Sequence, residues 1–340
     1  MSPPSVGELG ERNLVEVIRR LVGTASLGCE VGPGDDAAVL RGGARQRAWS
    51  VDRQREGTHF ESCWLSRDET GHRAVTIAAS DIWAMGAEPR WVLCALELPA
   101  SLPVTEFEEL IRGLRDGARE AGAEIVGGDV GLADTLGLVT TVGGEFAPGA
   151  APLLRSGARL GDELWVVGEL GWAAAGRALL ATGKALVDEH EASCVAAFRR
   201  PRTPAAFCRW AAVVPEVHGM MDISDGLGID VHRLCEESRV GAEVNGDTLA
   251  DAVPPRAAAA AGSTSLHLAL GGGDDYAMLC AISPGTGGAV AAAAAGFIVR
   301  RIGLVTEAAA GIVLSVGDRR RALPATGWDP FLDDAGGAGE

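Results

Sequence analysis

Residues 220–241 read MMDISDGLGIDVHRLCEESRVG, and no other stretch constrains the fold as much. Asp222 and Asp225 stand three apart, with Ser224 between them and Gly226 just after. A helical pattern follows: Leu227, Val231, Leu234 and Cys235 share one face, while Asp230, Arg233, Glu236 and Glu237 fall largely off it. The chain must turn at 222–226 and enter a helix, with Ser224 or Asp225 as the N-cap. Two carboxylates and a hydroxyl at a helix mouth suit a hard cation such as Mg²⁺, which takes oxygen ligands and keeps phosphate company. The same residues fit an ordinary Asp-rich cap. The stretch stands out because Asp-bearing turns or helix sites recur at 35–36, 52, 81, 129 and 274–275.

The segments around those sites alternate helix and strand patterns. Residues 11–23 read as an amphipathic helix, and 31–40 (VGPGDDAAVL) as a turn that delivers Asp35 and Asp36 to a strand start. Ala48 to Asp52 reads as a short strand followed by the polar RQREGTHF. Residues 72–86 read as a small-residue helix carrying Asp81 close to its apolar stripe. An unpaired carboxylate there is costly to bury, so it needs a partner, a metal or solvent. Trp91 to Leu98 reads as a strand, and Thr105 as the start of a helix with Glu108 as its capping-box partner. Then come a strand, two glycines and Asp129, with Asp52 and Asp129 both expected in turns. In the second half, Thr203 is the expected cap of a helix at Pro204–Val213, with Pro204 first in the helix. The segment GGGDDY precedes a strand at 277–282, and Tyr276 is the only tyrosine in the chain.

The chain has 340 residues, room for about two domains, and the Pro/Ala/Gly-rich 147–154 marks the boundary between residues 1–150 and 151–332. The tail 333–340 is low in apolar content and reads as disordered. Net charge is −16, which argues against nucleic acid as a partner. No apolar run reaches about 18 residues, so no membrane span is expected, and the N-terminus lacks the features of a signal peptide. Seven widely spaced cysteines without a CxxC pair read as reduced thiols of a cytoplasmic protein. Walker A, Rossmann GxGxxG, GxSxG and kinase HRD/DFG patterns are all missing.

Taken in order, GELGERNLVEVI (7–18), GDDAAVL (34–40), VDRQREGTHF (51–60), SDIWAMGAEP (80–89), GGD (127–129), RSGARLGD (155–162), DISDGL (222–227), GGGDDY (271–276) and GWDPF (327–331) resemble the thiamine-monophosphate kinases. These belong to the superfamily of aminoimidazole ribonucleotide synthetase and selenophosphate synthetase. The resemblance implies ATP-dependent phosphorylation of thiamine monophosphate by in-line transfer. It implies an α/β fold of two domains, with the N-terminal halves pairing into a dimeric β-barrel of a homodimer. By the same resemblance Asp36, Ser50, Asp52, Asp81, Asp129, Asp222 and Asp225 look like Mg²⁺ ligands, with Asp52, Asp129 and Asp225 central to catalysis. Gly128, Asp129, Arg155 and Ser224 would face ATP, and His59, Gly271 and Trp328 the thiamine phosphate. The chain departs from the family pattern at Arg53–Glu56, Ala78, Val130–Gly131, Gly271 and Pro330. The Asp positions survive, whereas many of the changes fall in substrate-facing segments. Two other readings stay open: ATP-driven activation of a different small phosphorylated metabolite, and a catalytically idle dimer that binds Mg²⁺ or nucleotide.

Overall fold

The computed structural model describes residues 47–328 continuously and, before them, 17–18, 20–21, 23, 29–31 and 39–40. Asp36, the tail 333–340 and the last residues of GWDPF lie outside the described residues, as does most of the 11–23 helix. The chain divides into two compact units, residues 1–151 and 152–340.

In the N-terminal unit, β1 (Cys29–Val31) pairs with β2 (Val39–Leu40). The main elements are β3 (Arg47–Arg55), α1 (Arg67–Ala84), β4 (Ala87–Leu98), α2 (Val104–Glu120), β5 (Glu124–Leu132) and β6 (Gly137–Phe146). The sheet order is β3-β6-β4-β5, with β4 and β5 parallel and the other neighbours antiparallel. Helix α1 begins at Arg67, earlier than apolar spacing suggests. Ser66 accepts from Glu69 N, and the Glu69 carboxylate accepts from Ser66 N, a complete capping box. Helix α2 has no such box: Pro103 is its N-cap, and Thr105 and Glu108 lie inside the helix. The two helices touch through glycines. A Cβ at Gly113 would lie 2.0 Å from Asp68 O, and one at Gly71 2.2 Å from Leu110 O. Glycine is required there because two backbones meet. Phe107, Leu110, Ile111 and Leu114 fill the buried face of α2, each side chain contributing about 1.5–3 kcal/mol of burial.

Strand β3 runs longer than the sequence suggests and passes through Arg55. Its alternation is strict. Ser50 and Gln54 reach α1 through hydrogen bonds to Asp81 and Arg73, so this face, which includes Asp52, looks toward the helices. Trp49, Val51, Arg53 and Arg55 are exposed on the other face.

The C-terminal unit holds β7 (Glu163–Val167), α3 (Trp172–Thr182), α4 (Glu189–Arg199), α5 (Ala205–Ala211), β8 (Val217–Ile223), α6 (Leu227–Ser238) and β9 (Gly241–Asn245). It continues with α7 (Pro255–Ala260), α8 (Ser265–Gly271), β10 (Ala277–Ile282), α9 (Gly287–Ala293), β11 (Val299–Thr306), β12 (Ile312–Val316) and β13 (Arg319–Ala322). Its seven strands order as β13-β12-β9-β11-β7-β10-β8, antiparallel except for β12 against β9. Leu227, Val231, Leu234 and Cys235 of α6 join the strands' Leu164, Val166, Leu279, Ile302 and Leu314 in one core. Strand β13, with three consecutive arginines, forms an outer edge and is fully exposed. The expected cap Thr203 is replaced by Pro204, and the Thr203 hydroxyl is buried without a hydrogen-bond partner. Cys63, Cys94, Cys194, Cys208, Cys235 and Cys280 are free, and all of these but Cys63 are buried. Among the described residues no helix is long and apolar enough to cross a membrane.

Candidate active site

In the N-terminal unit the sheet and α1 bring two of the expected ligands together. Ser50 Oγ donates to Asp81 Oδ2 at 2.5 Å. Asp81 therefore has a polar partner beside the buried Ile77, Ala78 and Ile82 of the helix. Asp52 lies two residues along the same face of β3, and its Oδ1 accepts from Arg53 N at 2.5 Å. Both Asp52 and Asp129 sit within strands, not in turns.

That difference has a geometric consequence. Side chains in one row across a sheet point to one face. The pairing makes Asp52, Thr140, Cys94 and Gly128 one row, and Arg53, Val139, Ala95 and Asp129 the next. Asp129 is exposed on the opposite face from Asp52, and two strands, β6 and β4, separate its strand from β3. Gly128 is the close-approach residue of this pair: a Cβ there would lie 2.0 Å from Cys94 O.

The EGTHF segment closes a tight turn. Gly57 has φ +81°, Gly57 N donates to Phe60 O, and His59 N donates to Arg55 O. Phe60 is buried beneath it. His59 Nδ1 accepts from Arg55 N at 3.1 Å, which fixes the imidazole against the start of the turn.

In the C-terminal unit three distant segments meet at one place. Asp222 is buried at the end of β8, paired with Met278 of β10. The turn that follows is locked from two sides. Asp274 N donates to Ser224 O at 2.7 Å, and Trp328 N donates to Asp225 O at 2.9 Å. A Cβ at Gly273, where φ is +67°, would lie 2.9 Å from Ser224 O and 3.0 Å from Asp225 O. Gly226 has φ +132°, and a Cβ there would meet Leu270 O at 3.0 Å and the Gly271 backbone at 3.2 Å. Ser224, Asp225, Gly271 and Trp328 thus lie close together. Asp274 and Tyr276 hold positive φ values of 64° and 50° in the same loop. Such backbone strain concentrates at ligand sites. The Thr326 hydroxyl, beside Gly228 and Gly271, is buried with no hydrogen-bond partner.

Arg155 is not part of that group. Its carbonyl accepts from Ser238 Oγ at 2.7 Å, so its backbone sits at the far end of α6 from Asp225. Neither Ser224 nor Asp225 caps α6. The N-cap is Gly226, without a side-chain bond, and Asp225 pairs instead with Arg233 at 2.6 Å.

Two further groups escape a reading by periodicity. Asp230 falls off the apolar stripe yet is wholly buried, accepting from Gly226 N at 3.3 Å and from Arg233 Nη1 at 2.8 Å. Burial pushes its carboxyl up to about 6, against the pull of Arg233. Asp275 is buried too, and both its oxygens accept from Gly171 N, at 2.9 and 2.8 Å, where α3 begins. Burial raises it well above the usual carboxylate range. The only sequence signal for Asp230 was its i, i+3 spacing to Arg233.

Comparisons with known proteins identify the family of the chain. The profile of the AIR synthase related protein, N-terminal domain, matches residues 34–146, and that of the C-terminal domain matches 159–314. A curated protein of Mycobacterium tuberculosis named thiamine-monophosphate kinase is 35% identical over 293 residues, 83% of each chain. The chain belongs to the AIR synthase related family, among the thiamine-monophosphate kinases. A kinase of that name from Corynebacterium glutamicum is 32% identical over 333 residues, 96% of this chain and 95% of its own. Among solved structures, AaThiL complexed with AMPPCP and TMP superposes with a TM-score of 0.72 at 26% identity, covering 95% of this chain and 97% of that one. The fold of the thiamine-monophosphate kinases is therefore the two-domain α/β fold described above.

Among the described residues no group of three or more His, Cys, Asp or Glu could hold a metal ion. The donors instead come in twos: Ser50 with Asp81, and Asp222 followed by Asp225. Hard oxygen donors in small sets fit Mg²⁺, which is usually held by one or two carboxylates, waters and the phosphates of its nucleotide.

Proposed function

We propose that this chain transfers the γ-phosphoryl group of ATP to the phosphate of thiamine monophosphate, giving thiamine diphosphate and ADP by direct in-line transfer. The observation that carries the reading is the convergence of DISDG, GGGDD and TGW in the C-terminal unit of a chain with thiamine-monophosphate kinase relatives. The relative AaThiL has an ATP analogue and TMP bound in its solved structure. Phosphoryl transfer needs positioning and charge neutralisation rather than a covalent nucleophile, so a site built of carboxylates, glycines and backbone amides is sufficient.

Mg²⁺ would be held by Ser50, Asp52, Asp81, Asp129, Asp222 and Asp225, with Asp36. Bound there, it would neutralise the developing charge on the phosphates. Gly128 and Ser224 would admit the triphosphate, and the exposed Arg155 would face it as well. His59, the Gly271 backbone and the Trp328 ring would orient the acceptor. Residues 1–150 would carry metal, ATP and self-association, and 151–332 would form the second α/β domain, from which Asp222, Ser224 and Asp225 add to the metal and nucleotide contacts. The exposed face of β3, with Trp49 at 50% and Val51 at 61%, supports pairing of two N-terminal units into a dimeric β-barrel. Asp129 shares that face and would act toward the second copy. Free buried cysteines fit a cytoplasmic enzyme.

The test is formation of thiamine diphosphate from Mg²⁺-ATP and thiamine monophosphate, followed by chromatography. Conversion that disappears in Asp225→Asn supports substrate and site together. ATP binding without conversion directs the search to other phosphate acceptors, and lack of ATP binding overturns the reading.

A further inference from the structure

We propose that Arg233 binds a phosphate of the nucleotide, held in place by Asp225 and Asp230; this rests on the kinase reading above. Arg233 Nη1 donates to Asp225 Oδ2 at 2.6 Å and to Asp230 Oδ1 at 2.8 Å. One nitrogen thus makes both internal bonds. The Nε and Nη2 donors, the edge of guanidinium that forks onto phosphate oxygens, have no hydrogen-bond partner among the described residues.

The anchoring is deep. Asp230 is fully buried and tied to Gly226 N by its second oxygen. The Arg233 side chain is 35% exposed, so part of it is open to solvent. A surface arginine loses rotamer entropy when it orders on a ligand. An arginine already fixed by two carboxylates has lost that freedom before the ligand arrives, which is preorganisation. Its place is the turn where Ser224, Asp225, Gly271 and Trp328 converge. The purely structural alternative is a helix ion pair. Buried ion pairs are weak contributors to stability compared with apolar packing, so retaining one at this turn calls for a second reason.

The experiment is calorimetric titration of the full chain with AMPPCP plus Mg²⁺ and, separately, with adenosine. Arg233→Met should weaken AMPPCP binding by about 10-fold or more, the worth of a charge-assisted forked contact, and leave adenosine affinity unchanged. Arg233→Lys should fall between: a single ammonium can bridge Asp225 and Asp230, but it has no fork. Asp230→Asn, which loosens the anchor, should weaken AMPPCP less than Arg233→Met does. Unchanged AMPPCP affinity in Arg233→Met would overturn the inference. So would equal losses for AMPPCP and adenosine, since a collapsed turn would cost both. Should Arg233→Met fail to fold, Arg233→Lys decides, and wild-type AMPPCP affinity in it would overturn the inference. A wild-type chain that does not bind AMPPCP would overturn the kinase reading as well, which keeps the two failures apart.

Discussion

The N-terminal sheet and the 222–226 turn place carboxylates by different means. In the sheet, position follows from strand period. One step along the register separates the Asp52 row from the Asp129 row, and that step turns the two acids to opposite faces. In the turn, position follows from glycines and backbone hydrogen bonds, which draw together residues almost fifty and a hundred positions apart. A strand distributes functional groups over two surfaces, whereas a turn cluster concentrates them at one point. The turn is therefore complete within one chain, and the sheet presents half of its acids to whatever covers its outer face.

The largest effect that tests this contrast is loss of the turn's acid. Asp225→Asn should reduce thiamine diphosphate formation to background while the chain stays folded. EDTA should do the same to the wild type, with excess Mg²⁺ restoring it. Metal-independent turnover would contradict the use of these carboxylates. Next come Asp52→Asn and Asp129→Asn, each expected to be inactive and folded. If, as proposed, a second copy supplies the face each chain lacks, mixing and co-refolding the two variants should partly restore turnover. No recovery on mixing would place both acids in the service of one chain.

A smaller effect separates turn from strand. Gly273→Ala pushes a methyl group to within 2.9 Å of Ser224 O at a φ of +67°, and should cost about 1–3 kcal/mol of stability in denaturant titrations. Gly131→Ala, whose nearest neighbour lies 3.9 Å away, should be close to neutral.

The smallest concerns Asp230. Its folded pKa of about 6 lies above the ordinary 3.8, so the native state holds this proton longer than the unfolded one. The stability contributed by protonation is fully present below about pH 4 and is lost as pH rises through about 6. Asp230→Asn removes that slope. The stability of the variant minus that of the wild type should therefore rise between pH 4 and 6 and stay level above, as thermal melts across that range will show.

Much of this was legible in the residues. Glycine-rich turns with Asp at their ends declare themselves, so Ser224, Asp225, Gly271 and the Trp328 segment could be singled out before any coordinates. The apolar stripe of α6 was equally plain. The face of Asp129 was not, because glycines on both sides conceal whether GGD bends or continues as a strand, and only the pairing of Asp129 with Ala95 decides it. Asp230 was misplaced because helical periodicity asks what is apolar, while a buried ion pair hides a carboxylate beside the core. The cap of α1 lay in Ser66 and Glu69, outside the apolar pattern that marks the rest of the helix.

The three arginines of β13 carry one more meaning. A sheet edge is an open row of amides and carbonyls that invites any passing strand, and stacking of like sheets begins there. Arg319, Arg320 and Arg321 put three positive charges on that row, and only Arg320 is partly neutralised, by Glu243. A second copy approaching edge to edge would bring the same charges against them. Like charges on the arginine edge thus oppose the edge-to-edge stacking that propagates into fibres.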